Sequence, residues 1–286
     1  MCLLFLYINP HLKKGEYKII LVNNRDELYS RPTKPAHLWD SKIYGGMDVE
    51  EGKEGGTWLG VSETGKISCL LNIFQPSGQF KKDGASRGFL VVKYLQAEQS
   101  GAEYLEHIIK SNLVYNPFNL LTMDPGELSY DVTYYNSENN FYQKIQPGVH
   151  GFGNSFINKP FRKVKKGEMK FQEIIKTYGK TESEEQLINE LITMMQNSEK
   201  NFPDEQLAEQ GKGQSEDFVK SLSSIFVTFP GVGYGTRTTS VILVDHLNRV
   251  MFKERTMKEP INLEAPEWEL MSHHSRYEQF ILDTLL

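Results

Sequence analysis

The chain has 286 residues, with 32 Lys and Arg against 37 Asp and Glu and a formal net charge of -5. That mild acidity excludes a general nucleic-acid binder, which needs a basic stripe. Two cysteines, Cys2 and Cys69, exclude a disulfide scaffold. No apolar run reaches the ~18–20 residues of a membrane span, so no transmembrane segment is expected, and the length fits a single domain over 1–286.

Residues 1–8 are apolar, lack preceding basic residues and stop at Asn9-Pro10, which predicts a buried strand rather than a secretory or mitochondrial leader. Residues 17–23 predict a second strand, forming a hairpin with the first. The stretch 25–56 is polar and rich in Pro and Gly, and reads as a long lid-like loop. Two strands are expected over 57–62 and 66–74, around Glu63-Thr64-Gly65. From Ser86 the period changes, with Leu90, Val91, Tyr94 and Leu95 on one helical face, and a capping box from Ser100 to Glu103 opens a second helix. Strand chemistry returns over 119–123, 127–135 and 140–145. Phe171, Ile174, Ile175 and Tyr178 mark a helix that stops at Gly179, and Ser183 opens another with Leu187, Leu191, Met194 and Met195 inward. Residues 197–217 are polar and read as a flexible loop. Strands over 223–229, 236–245 and 249–255 complete the reading.

Cys2 is a candidate nucleophile by position. Removal of Met1 would leave a free α-amino group on the residue that carries the thiol, and such an amine, with an ordinary pKa of ~7.7–8.0, suits a general base near neutrality. The alternative is a retained Met1 and a buried strand cysteine. The run Asn23-Asn24-Arg25-Asp26-Glu27 either lines a site at the end of a strand or forms a solvated turn. In the segment from Glu51 to Gly60 the glycines allow tight turns or close approach of a ligand, and Trp58 is a lid aromatic or a core residue. Asn72, Asn154 and Arg237 are polar residues inside apolar runs, each a structural bond-maker or a site group; asparagine amides can serve as oxyanion donors. Cys69 reads as core. No metal site is expected, because the one close histidine pair, His273-His274, reads as solvated. Arg162, Lys163, Lys165 and Lys166 read as a charged helix start.

Met1-Cys2, Asn24-Arg25-Asp26-Glu27, the segment from Glu51 to Gly60, Ser86-Arg87-Gly88, Gly153-Asn154-Ser155 and Gly235-Thr236-Arg237-Thr238-Thr239, in that order, resemble the transport and Golgi organisation 2 family, also called NRDE after the quartet. That family is similar to N-terminal-nucleophile hydrolases of the bile salt hydrolase and penicillin V acylase type. The resemblance implies an α+β fold, a four-layer αββα sandwich. It implies Cys2 as nucleophile, Asp26 positioning its amine, Asn72 and Asn154 on the oxyanion and Arg237 setting the electrostatics. Asn24, Arg25, Asp26, Glu27 and Trp58 are the expected ligand-binding residues. The sequence departs from the hydrolase pattern at Arg25, which adjoins the aspartate instead of preceding it by several residues. Adjacent strand residues point to opposite faces, so either Arg25 leaves the site or the chain is irregular there.

The function implied is an intracellular carrier of a hydrophobic anionic metabolite, with haem or acyl-coenzyme A as cargo and no required cofactor. A cytoplasmic location with mitochondrial and Golgi association goes with it. Two alternatives stand beside it: an amidohydrolase or thioesterase using Cys2, and a scaffold of the secretory pathway.

Overall fold

The computed structural model describes residues 1–81, 83–111 and 113–278. Two antiparallel sheets pack face to face. The first contains β1 (Leu3–Ile8), β2 (Tyr17–Leu28), β10 (Gly148–Phe152), β11 (Thr228–Phe229), β12 (Tyr234–Asp245), β13 (Arg249–Met257) and β14 (Trp268–Arg276). Its order is β10-β1-β2-β12-β13-β14, with β11 on β12. The second runs in chain order through β3 (Thr33–Leu38), β4 (Ile43–Asp48), β5 (Leu59–Ser62), β6 (Ile67–Asn72), β7 (Phe118–Pro125), β8 (Tyr130–Asn136) and β9 (Phe141–Ile145).

Strand parity explains why the sheets stack. In β1, Leu4, Leu6 and Ile8 face the space between the sheets, while Leu3 and Phe5 face outward. Ile19 and Leu21 of β2 and Ile242 and Val244 of β12 join the inner layer, opposite Trp58, Val61, Cys69, Leu71 and Leu121. Outward-facing Ile20, Val22, Val241 and Leu243 are covered by α3 (Arg162–Tyr178) and α4 (Glu184–Met195) through Phe171, Ile174, Leu187 and Leu191. The outer face of the second sheet is covered by α1 (Gly88–Gln96) and α2 (Gly101–Lys110), whose Leu90, Val91, Tyr94 and Leu105 meet Leu70, Phe118 and Leu120. The order helix, sheet, sheet, helix is the expected αββα sandwich, and three separate apolar layers hold it together.

Several expectations change. The stretch 25–56 is not a loop: β2 continues through the polar quartet to Leu28, and β3 and β4 occupy most of the remainder. Its Pro and Gly mislead because β3 is an edge strand with a register shift between Lys34 and His37, where Pro35 costs no ladder bond. Gly46 has its own reason, since a Cβ there would stand 2.4 Å from the Trp58 ring. The polar region 197–217 folds into α5 (Glu205–Gln210) and the start of α6 (Glu216–Ser221), each capped by a side chain, Asp204 and Ser215. His273 lies on β14 and stacks on Tyr44 with ring centroids 4.2 Å apart, so it is not simply solvated. The strand expected over 223–229 shrinks to Thr228–Phe229. The capping box at Ser100 and Glu103 forms as read.

Candidate active site

The parity that builds the core also sorts the quartet. β1 and β2 pair with Leu3 opposite Asn24, which places Cys2 opposite Arg25 and Met1 opposite Asp26. Asn23 and Arg25 continue the inner face of Leu21. Asn24 and Asp26 continue the outer face of Val22. Arg25 therefore shares a face with the thiol and remains in the site although it adjoins Asp26. β2 keeps its alternation there, the extra residue of the local register shift being Arg237 on β12, and the two neighbours approach Cys2 from opposite sides.

On the outer face, the Asp26 carboxylate is fully buried. Its Oδ1 accepts from Thr236 Oγ1 at 2.6 Å, and its Oδ2 has no hydrogen-bond partner but lies 3.6 Å from the nitrogen of Met1. That amine also donates to the Asp26 backbone carbonyl at 3.3 Å. Burial raises the Asp26 carboxyl above its usual range, opposed by the charge of the amine and of Lys163. Lys163, expected as part of a charged helix start, is fully buried, and its Nζ donates to the Ser224 carbonyl at 3.0 Å. Burial lowers its pKa to about 8.

On the inner face, Cys2 stands in a cavity of about 350 Å³ between the ends of the two sheets, shared with Arg25, Glu27, Trp58, Asn72 and Arg87. The Arg25 guanidinium stacks over the Trp58 ring at 4.2 Å, donates to Thr33 at 3.2 Å and approaches Glu27 at 3.9 Å. Burial pushes the Cys2 thiol up, against the pull of the N-terminal charge. Arg31, which the sequence reading did not single out, holds Asp48 through two bonds of 2.6 and 3.2 Å across the cavity mouth. Glu254, also unforeseen, is buried between the sheets and accepts from Ala36 N at 2.8 Å and Ser240 Oγ at 3.1 Å. Burial lifts its pKa to about 7. No local pattern flags Glu254, because its partners lie 218 and 14 residues away.

The remaining expected residues divide. Asn72 is exposed at the end of β6 and lines the cavity. Asn154 lies behind it: its amide donates to the Asn72 carbonyl at 2.6 Å, and it does not line the cavity. Asn119 fixes that loop by donating to Gly153 and Ser155 carbonyls at 3.0 and 2.7 Å. Asn24 faces the helices, donates to Met195 and Ile225 carbonyls and accepts from Thr239, so it is a structural bond-maker rather than a ligand group. Arg237 sits at the register shift between Thr236 and Thr238, pairs with Glu259 and holds the Leu28 and Arg31 carbonyls. It borders a separate cavity of about 130 Å³, so its effect on the site passes through the backbone of 28–31. Among the described residues, no cluster of three or more His, Cys, Asp or Glu could hold a metal ion, and no helix is long and apolar enough to cross a membrane.

A family model described as Transport and Golgi organisation 2 matches residues 1–259. The Homo sapiens transport and Golgi organization protein 2 homolog is 34% identical over 278 residues, covering 96% of this chain and 98% of that protein. The Drosophila melanogaster transport and Golgi organization protein 2 is 35% identical over 269 residues, covering 90% and 92%. Among solved structures, a C2A mutant of conjugated bile acid hydrolase from Clostridium perfringens covers 99% of this chain and 100% of its own at 9% identity, with a TM-score of 0.47, too distant to transfer a residue's role.

Proposed function

The chain belongs to the Transport and Golgi organisation 2 family, and from the geometry of its cavity we propose that it is a cysteine hydrolase for the amide or thioester of an anionic acyl metabolite, with Cys2 as the first residue of the mature chain. The names of its relatives link the family to transport and Golgi organisation. The observation that carries the reading is the division of one strand between two tasks. Asp26 holds the Met1 amine on one face of β2, the place the Cys2 amine would take once Met1 is lost, and Arg25 flanks the thiol on the other, in a cavity lined by four cations and three carboxylates.

In this reading the free amine of Cys2 takes the thiol proton, and the thiolate attacks the acyl carbon. The C–S bond forms as the carbonyl π bond becomes an oxyanion. The Asn72 amide is the side-chain donor placed to meet that oxyanion. Collapse breaks the bond to the leaving sulfur or nitrogen, which takes the proton held by the amine. Water then attacks the acyl-cysteine thioester, releasing a carboxylic acid and restoring the thiol. Acyl-coenzyme A fits the requirements, joining a thioester to phosphates and an apolar chain. Haem fits less well. Among the described residues lining the cavity, Cys2 is the sole soft ligand for iron, and burial favours its protonated thiol.

The carrier reading is favoured by one observation. With Met1 in place, its own amine occupies Asp26 and its side chain packs in the helix-side core. The Cys2 nitrogen is then an amide, and the cavity can hold a ligand without cutting it. Intact mass of protein from cells, combined with single-turnover assays on acyl-coenzyme A, separates the two. Loss of Met1 with acid release supports the hydrolase; retained Met1 with ligand recovered whole overturns it.

A further inference from the structure

The cations around the cavity are unequally committed. Arg31 is bound in a fork to Asp48, with Glu27 a further 3.8 Å contact. Arg25 shares Glu27 and lies against Trp58. Arg87 differs: Nη1 donates to the Pro117 carbonyl at 3.0 Å, and no carboxylate stands within 4.0 Å of it among the described residues. Lys53, which also lines the cavity, likewise has no ion pair among the described residues. A guanidinium carries five N–H donors, so one carbonyl leaves most of the fork free.

Such a group is costly to keep partly buried with no carboxylate in contact, and burial lowers its pKa to about 10, only partly offset by the more distant charge of Glu27. A lone carbonyl contact does not require arginine, because a neutral amide would satisfy Pro117 at smaller cost. The position is also rigid. Arg87 immediately precedes α1, and the Gly88 carbonyl accepts from Thr57 N at 3.3 Å, which ties the base of Arg87 to the residue before Trp58. A Cβ on Gly88 would stand 3.0 Å from that Thr57 nitrogen, so the approach depends on glycine.

We propose that Arg87, with Lys53 of the same cavity lining, anchors a phosphate group of the ligand, at a subsite separate from the Cys2–Arg25 centre. The proposal rests on reading the cavity as the ligand chamber. It selects substrates whose scissile bond and phosphate belong to one molecule. Phosphate is favoured over a single carboxylate because two separated cations match an oxyanion of higher charge, and the arginine fork fits two of its oxygens.

Calorimetric titration of the full chain with inorganic pyrophosphate, at constant ionic strength, tests the subsite without requiring turnover. Saturable binding is expected in the wild type, weakened about tenfold or more in Arg87→Gln. Arg87→Lys should bind between the two, and Lys53→Gln should weaken binding about threefold. The control Arg162→Gln, on an exposed arginine, should match the wild type. Absence of saturable binding in the wild type overturns the proposal, as does equal affinity in Arg87→Gln. If Arg87→Gln fails to fold, Arg87→Lys and Lys53→Gln decide by the same criterion. ADP and glycerol 3-phosphate as competitors distinguish a nucleotide from a lipid headgroup as the source of the phosphate. Pyrophosphate binding that persists in Cys2→Ala, in a protein that cuts nothing, keeps the subsite and removes the hydrolase reading. Turnover with KM unchanged in Arg87→Gln does the reverse.

Discussion

The two sheets bury polar groups of different kinds. The sheet built on β1, β2 and β12 buries charged side chains, Lys18, Arg25, Asp26, Arg237, Asp245 and Glu254, beside neutral ones such as Asn23, Thr239 and Ser240. The β3–β9 sheet buries mainly neutral ones, including Ser68, Asn119, Thr122, Thr133 and Asn136, with Lys66 the charged exception among the described residues. A neutral donor or acceptor is settled by one or two bonds, as Ser68 is by the Leu121 carbonyl at 2.8 Å. A buried charge needs a counter-charge and several bonds, and what is left unmet marks where chemistry can occur. Asp26 Oδ2, bonded to nothing but facing an amine, is such a remainder. The first sheet carries the groups of the proposed chemistry, and Trp58 and Asn72 on the side of the second line the cavity they share with Cys2.

The sharpest break of that contrast is Cys2→Ala. Turnover measured under single-turnover conditions is expected to fall by at least about 10³-fold while the chain stays folded, since a thiol is exchanged for a methyl-sized group. A residual rate near that of the wild type would detach the first sheet from catalysis. Next is Trp58→Ala on the second sheet, expected to cost about 3–5 kcal/mol in urea unfolding because it empties the seat against Gly46 and uncovers Arg25.

Glu254→Gln follows. The raised pKa of Glu254 means that its contribution to stability is complete below the ordinary glutamate value of 4.5 and is lost as pH rises through about 7. Relative to Glu254→Gln, the wild type should lose about 3 kcal/mol between those pH values. Parallel pH profiles would show that the carboxyl is paired more fully than its two bonds imply. The smallest effect is expected from Ser68→Ala, about 1 kcal/mol with unchanged turnover. A large loss of turnover there would place reactive function in the second sheet too.

Much of the site was legible because it depends on parity and position. Cys2 at the start of a strand follows from the first apolar run, the quartet was placed just past the end of the second, inside an expected loop, and the four layers follow from the family resemblance. Other parts depend on partners remote in sequence. Nothing near Lys163 announces that its ammonium ends on Ser224, so the four clustered cations read as a charged helix start. Arg87 was visible as part of a motif, but its isolation from carboxylates exists only once Asp48 has taken Arg31. β3 and β4 were hidden because edge position and a tryptophan seat tolerate or require the residues that usually mark loops. Asn154 and Arg237 were rightly noticed as out of place, yet they brace Asn72 and the 28–31 backbone respectively.

The alternation of β2 carries a consequence for how this chain can change in length. Asn24-Arg25-Asp26-Glu27 is two interleaved pairs, one read from the sheet interior and one from beneath the helices. Deleting a single residue between Ile19 and Asn23 would slip the frame by one, turning the carboxylate toward the thiol chamber and burying the guanidinium under α3 and α4. Substitutions can be absorbed one at a time, but a one-residue insertion or deletion exchanges every role in the quartet at once. Length variation between relatives should therefore fall in the turn before Tyr17 or beyond Leu28, and the strand between should keep its count.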